Sequence, residues 1–456
     1  MNNITKRVAS FISSATVPQF VRDKARKVLV DTIGVILSGP ASEVASPLLE
    51  YAKRQKCTGS AVILGTSFTT SSEIAALVNG TFGHALDFDD GIVLAPVHPS
   101  SVIVSALLSA TPNISGRRLI DAYVVGVEVT VKLAEAIGID HYHRGWHGTG
   151  TIGVFGAVAA LAYAKQLDPL TTCTAFGLAS SMTSGVQRNF GTMTKPLHTG
   201  WAARNGVVAV ELASAGFSAA TDVLEAENGF FAVYGNEQSN LSLLDDLGKR
   251  WVIDEPGMSL KRYACCYASH RPMVGLLDLR QELDLTPENT LAVKCYLAPG
   301  SLRALIYPRP KTGLEGKFSL EYALAAGVLD GGYSLWSFTD AAVMRSDAQA
   351  LLPRIEVSED PRCAIGDPYA KTRGPSRRGF VEVHASTTDG RNAMRRINII
   401  PGSPDQALTW DDIRRKFMDC ASTTQLDIEQ IQKCYERLIT METCNNVQEI
   451  ISLLRT

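Results

Sequence analysis

Four segments of this chain carry residue types that do chemistry, and they follow one another in order. The first is Gly83-His84-Ala85-Leu86-Asp87-Phe88-Asp89-Asp90, with His98-Pro99-Ser100-Ser101 shortly after. Three carboxylates within four residues repel one another unless cations, hydrogen bonds or solvent offset the charge. The pattern fits a metal site of Asp and His ligands, an acid/base site in which an aspartate orients a histidine, or a solvated acidic helix C-terminus with capping roles. The second segment runs from His141 to Gly153, with His143, His147, Gly148 and Gly150 inside it. Its glycines match the G-x-G-x-x-G fingerprint, but a polar histidine-rich stretch precedes them where that fingerprint needs a buried strand. Small residues opening a helix leave N–H groups for an anion, and His147 stands at that mouth, placed for catalysis. His141, His143 and His147 also have metal-ligand residue types, although a loop of this kind is a poor metal site.

The third segment is Arg188-Asn189-Phe190-Gly191-Thr192-Met193-Thr194-Lys195-Pro196-Leu197-His198. Pro196 puts Lys195 on a loop or at a helix start. A lysine there clamps a carboxylate or, when desolvated, moves protons. The ordinary alternative is a surface lysine, which the apolar, glycine-rich surroundings disfavour. The fourth runs from Lys261 and Arg262 through Cys265-Cys266 to His270. The adjacent cysteines read as packing and His270 as part of a site, and no spacing matches a zinc motif. Seven of the eight histidines stand at or before position 270. Histidine is the side chain most easily tuned near neutral pH.

These segments need a frame to hold them. Apolar residues at spacings of three and four predict helices over 17–37, 71–86, 100–110, 117–138, 150–166, 169–185 and 200–216, after a first amphipathic helix at the N-terminus. Pro18, Pro169 and Pro287 fall where helices start. Beyond about residue 255 the pattern changes. Strand-like runs at 290–297, 354–357, 380–385 and 393–400 bracket helical stretches at 319–329 and 340–351. Asp389-Gly390 is a hairpin signal. Residues 361–378 are polar and basic and read as a loop. Helical periodicity returns over 409–421, 427–441 and 447–454. The expected fold is mainly α with an inserted α+β domain. A large all-helical domain takes residues 1–258 and 402–456, and a smaller α+β lid domain takes 259–401.

Composition narrows the function classes. The 456 residues are 45% hydrophobic and 20% charged, with 44 Lys plus Arg against 46 Asp plus Glu. A near-neutral chain with pI about 6.5 does not suit a dedicated nucleic-acid binder. The most apolar stretch, 152–164, is shorter than the roughly 18–20 residues a membrane span needs, so no membrane partner is expected. Nine scattered cysteines fit reduced thiols in the cytoplasm or another reducing intracellular compartment.

Taken in order, GHALDFDD, HPSS, GWHGTGTIG, NFGTMTKPLHTG and KRYACCYASH, with Pro310-Lys311-Thr312-Gly313 to Phe318-Ser319 further on, resemble the MmgE/PrpD family over roughly residues 5–450. That family includes 2-methylcitrate dehydratase, cis-aconitate decarboxylase and iminodisuccinate epimerase. The resemblance implies a helical domain with a smaller lid, a homodimer, no metal and no organic cofactor. It implies catalytic roles for Asp87, His98, His147, Lys195 and His270. Lys261 and Tyr307 are looser matches for substrate contacts, beside Arg188 and His198. Gly91 departs from the family, where threonine often follows the DFDD motif. The implied function is a lyase on a small polycarboxylate, by dehydration or decarboxylation. The alternatives are a dicarboxylate epimerase or racemase, and a non-catalytic dimeric binding protein.

Overall fold

The computed structural model describes residues 3–92, 94–366 and 379–455. The chain divides into two compact units, Met1–Arg188 with Thr194–Leu260 and Thr409–Thr456, and Asn189–Met193 with Lys261–Leu408. Among the described residues, no single helix is long and apolar enough to cross a membrane. No disulfide joins the cysteines among the described residues.

The first unit is built on helices. Gln19–Leu37, Ser72–Ala85, Pro99–Ala110 and Gly116–Ile137 stand where the periodicity places them. The 150–166 stretch is two helices, Gly148–Thr151 and Gly153–Lys165, which meet at Ile152. Pro169–Ser180 ends earlier than expected, and Thr194–Ser214 begins earlier. The early start is possible because first-turn N–H groups have no intrahelical partner, so Pro196 costs nothing there. Ala45–Arg54 is a further helix that the pattern did not announce. The unit is not all-helical. Two antiparallel ladders, Ala61–Val62 with Thr69–Thr70 and Gly91–Ile92 with Met258–Ser259, are too short to show alternation in sequence.

The pair that matters most for the site is Thr194–Ser214 packed along Ser72–Ala85. A Cβ on Gly200 would lie 2.2 Å from Thr81 Oγ1 and 2.3 Å from Leu77 O, and one on Gly80 would lie 2.9 Å from Gly200 Cα. Only glycine at these positions lets two backbones approach so closely. The approach brings the first turn of one helix against the last turn of the other.

The second unit holds a four-stranded sheet in the order Ile355–Glu359, Thr290–Leu297, Val381–Thr387, Asn392–Ile397. The first pair is parallel and the other two antiparallel. Val381, Val383 and Ala385 alternate inward. Asp389-Gly390 turns the last hairpin, with Gly390 at φ +89°. Helices His270–Leu283 and Leu320–Asp330 supply much of the remaining core, with Phe338, Val343, Ala348 and Leu351 beside them. Pro287 does not start a helix. It sits in the turn before Thr290, closed by Thr286 O accepting from Thr290 N. The 340–351 stretch breaks at Arg345 into Asp340–Met344 and Ser346–Leu351. Of the segment 361–378, Pro361–Ala364 forms a short 3-10 helix, and 367–378 lie outside the described residues.

Candidate active site

Helix Ser72–Ala85 ends one residue before Leu86, and Asp87 then takes φ +52°. This left-handed turn is a common way to end a helix, although it strains a residue with a Cβ. Asp87 N donates to His84 O at 3.1 Å. The turn sends three neighbouring carboxylates to three different partners. Asp87 receives a very short hydrogen bond from Lys195 Nζ. Asp89 lies with both oxygens against His84 Nδ1, at 2.9 and 2.8 Å, and accepts from Ser101 Oγ at 3.0 Å. Asp90 accepts from Ser100 N at 3.3 Å and Ser100 Oγ at 2.5 Å, so it meets the N-terminus of helix Pro99–Ala110, where a carboxyl group is favoured. Ser100 Oγ is also 2.7 Å from Tyr123 OH. Burial, and then the charge of Asp89, push the Asp90 carboxyl up to about 7.

The same helix start fixes His98, which precedes Pro99 with φ −118° and ψ +84°, outside the α region that proline disfavours for the residue before it. Its Nδ1 is 2.5 Å from Asp90 O and must therefore carry the hydrogen. Its backbone N donates to Thr149 Oγ1 at 3.0 Å, which ties it to the glycine-rich segment. His147 precedes helix Gly148–Thr151, and its backbone N donates to Gly185 O at 3.1 Å. Its Nδ1 faces His198 Nδ1 at 3.0 Å.

Lys195, in the first turn of its helix, reaches His84 Nε2 at 2.6 Å as well as Asp87. The ring centroid of His84 lies 4.8 Å from that of His98 and 5.8 Å from that of His147. His84, Asp87, Asp89, His147 and Lys195 are each at most 4% exposed. Burial holds His84 below the ordinary histidine value, against the opposing pull of Asp89. Burial, and then Lys195, hold His147 well below it. Burial lowers His198 to about 4. Near neutral pH these three imidazoles are uncharged, and the site is a set of neutral proton carriers beside an ammonium.

The loop is anchored from behind by helix Trp410–Ala421. Lys416 Nζ donates to Asp31 Oδ2 at 3.0 Å and to Phe88 O at 2.9 Å, and lies 3.9 Å from the Phe88 ring centroid. Burial raises the Asp31 carboxyl, with Lys416 opposing.

The metal reading of the first cluster has a geometric test. Nitrogen and oxygen donors of His84, Asp89 and His98 all lie within 4.8 Å of one another. Two ligands of one tetrahedral zinc stand about 3.3 Å apart, given metal–ligand bonds near 2 Å. His84 Nδ1 and Asp89 Oδ2 are 2.8 Å apart, the spacing of a hydrogen bond. His141 uses one nitrogen toward Tyr234 O at 3.0 Å and the other toward Thr151 Oγ1 at 2.7 Å. It is a packing histidine.

Of the residues singled out in sequence, Asp87, His98, His147, Lys195 and His198 come together. Arg188 stands outside this buried group, exposed on the short 3-10 helix Gln187–Asn189. The others belong to the second unit. Lys261 is buried, and His270 opens helix His270–Leu283 with its ring edge-on to Tyr263 and Tyr267. Tyr307 OH donates to Phe190 O at 2.8 Å. His84, Asp89, Asp90, Ser100 and Ser101 stood in the first sequence motif, but none was assigned a role of its own. The signal was present for His84 and Asp89, five residues apart in the motif that supplied Asp87.

Two family models match the chain. The MmgE/PrpD N-terminal domain matches residues 6–241, and the MmgE/PrpD C-terminal domain matches residues 263–437. Cis-aconitate decarboxylase of Mus musculus is 28% identical over 448 residues, covering 94% of this chain and 88% of that protein. Cis-aconitate decarboxylase of Homo sapiens is 26% identical over 464 residues, covering 98% and 94%. Cis-aconitate decarboxylase of Aspergillus terreus is 26% identical over 356 residues, covering 73% and 72%.

Proposed function

This chain belongs to the MmgE/PrpD family, and from that premise we propose that it is a cofactor-independent lyase acting on a small polycarboxylate. The substrate class is methylcitrate-like or aconitate-like, and the reaction is loss of water or of carbon dioxide. One observation carries the reading. Asp87, Lys195, His84 and Asp89 form an unbroken buried chain of contacts, with the imidazoles of His98 and His147 against it.

Both reactions need such a set. In decarboxylation the bond to the departing carboxylate breaks, carbon dioxide leaves, and the electron pair left behind takes one proton. In dehydration a base removes a C–H proton, and the hydroxyl leaves with a proton from an acid. Each passes through negative charge beside a carboxylate. An ammonium held in a buried site stabilises that charge far more than it would in water. Lys195 takes that role, and Asp87 aims it. His147 and His98 are the proton carriers, the general acid/base role most often taken by imidazole. His270 as a catalytic group, and Lys261 and Tyr307 as substrate contacts, enter the proposal on the family resemblance of their motifs alone.

A disused pocket on a scaffold protein would gain nothing from this arrangement. Burying charged pairs costs free energy, and the left-handed Asp87 adds strain.

A mass-spectrometric screen without added cofactor, against methylcitrate, citrate, cis-aconitate and iminodisuccinate, tests the reading. Loss of water or carbon dioxide supports it. Deuterium uptake on an unchanged skeleton favours an epimerase instead. No change with any substrate removes the polycarboxylate assignment. The reading includes a homodimer, which a monomer mass by light scattering at micromolar protein would remove.

A further inference from the structure

We propose that His84, held by Asp89, is the positioning residue that accepts a proton from Lys195, so that Lys195 can act as a neutral amine at the reacting carbon. This deepens the reading above and rests on it. The bookkeeping of hydrogens leads to it. An ionised carboxylate only accepts, and both Asp89 oxygens face His84 Nδ1. Nδ1 therefore carries the hydrogen. In a neutral imidazole the other nitrogen is then a lone pair, and that lone pair points at Lys195 Nζ, 2.6 Å away.

The step balances within the group. One N–H bond at Lys195 Nζ breaks and one forms at His84 Nε2. The product is a neutral amine and an imidazolium against Asp89, with no change in total charge. In water an ammonium holds its proton over an imidazole by roughly 10⁴. Asp89 narrows that gap by stabilising the imidazolium, while the burial of His84 widens it, as does Asp87 by stabilising the ammonium. The two aspartates thus set the poise from opposite ends. In dehydration the amine takes the C–H proton from substrate and is then the ammonium beside the negative charge. It passes that proton to the departing hydroxyl, and the reverse transfer from His84 then recharges the lysine.

The groups facing this pair are Asp87 and Asp89 from the loop, His98 from the start of helix Pro99–Ala110, and His147 from the glycine-rich segment. Ser101 supports Asp89, and Asp90 and the Asp31–Lys416 pair stand behind the loop.

His84→Gln tests the proposal. A glutamine amide can donate to Asp89 and accept from Lys195, but it cannot take up a proton. The expected result is kcat lowered by about 10- to 100-fold with KM within about threefold, as for loss of one proton-transfer partner. The residual rate should climb with pH where the rate of the parent enzyme has levelled off. Asp89→Asn should move both readouts in the same direction. A His84→Gln enzyme with parental kcat and parental pH profile overturns the proposal, because a merely structural histidine predicts that outcome. If His84→Gln does not fold, Asp89→Asn decides in the same way. A readout independent of turnover separates this inference from the lyase reading. Nitrogen-15 NMR of the imidazoles, with His84 assigned through the variant, should show Nδ1 protonated and Nε2 bare near pH 7.5. The opposite tautomer overturns the inference even if the enzyme proves to be a lyase.

Discussion

The Nδ1 atoms of His147 and His198 face each other at 3.0 Å. Two imidazole nitrogens at that distance require one hydrogen between them, so the two rings must adopt complementary tautomers. His198 therefore chooses which nitrogen of His147 is available for chemistry, an instance of a neighbour fixing a histidine tautomer.

Gly185 makes that pairing possible. It sits at φ +126°, and a Cβ there would lie 3.2 Å from His198 Nδ1 and 3.6 Å from His147 Cβ. Gly185→Ala combines backbone strain of about 1–3 kcal/mol with displacement of the pair. Turnover should fall at least about tenfold, beyond what the lowered melting temperature explains. Steady-state kinetics well below that melting temperature checks it. A variant that is destabilised but fully active would detach the pair from the reaction.

Lys195→Ala and His147→Ala should each fold and lose roughly two or more orders of magnitude in kcat, the scale of one acid/base group. Asp87→Asn should behave likewise while keeping the left-handed turn, which asparagine tolerates. Circular dichroism with single-turnover kinetics measures both halves. Near-parental rates in any one would remove that residue from the mechanism.

His198 makes stability depend on pH in a definite direction. Its folded value lies near 4, below its unfolded value of about 6.5. The unfolded state therefore binds more protons between those limits. The stability His198 contributes is present above about 6.5 and is lost as pH falls through about 4. His198→Gln removes this term. The gap in urea midpoint between parent and variant should shrink from pH 7 to pH 4.5. A gap that stays constant would show that His198 does not titrate in this way.

Lys416→Met leaves Asp31 buried without its cation and should cost about 3–5 kcal/mol. Adding Asp31→Asn should restore part of that, since the unpaired charge is then gone. Activity should not return with stability, because Phe88 O has still lost its anchor. Urea titration and kinetics on the single and double variants measure the two effects. Full activity in the double variant would mean that the loop does not need the lysine.

Much of this was legible in the residues, and what was not has a physical reason. Helical periodicity marked the helices of the first unit because their apolar spacing is dictated by burial. The two-residue ladders at 61–62 and 91–92 were invisible because alternation needs more residues than they have. Asp87 and Lys195 were legible as chemistry. Their meeting was not, since 108 residues separate them and Gly80 and Gly200 set the approach. His84 was visible in the first motif, but its own role was not. Its importance comes from two partners, of which only Asp89 is local.

The anchor of the Asp87 loop has a consequence in time. Lys416 lies 328 residues after the Phe88 carbonyl that it holds. At ribosomal speeds of about 5–20 residues per second, that interval is on the order of tens of seconds. Throughout it, Asp31 and the DFDD loop exist without the lysine that fixes them. The anchored form of the loop is thus withheld until Lys416 has been synthesised.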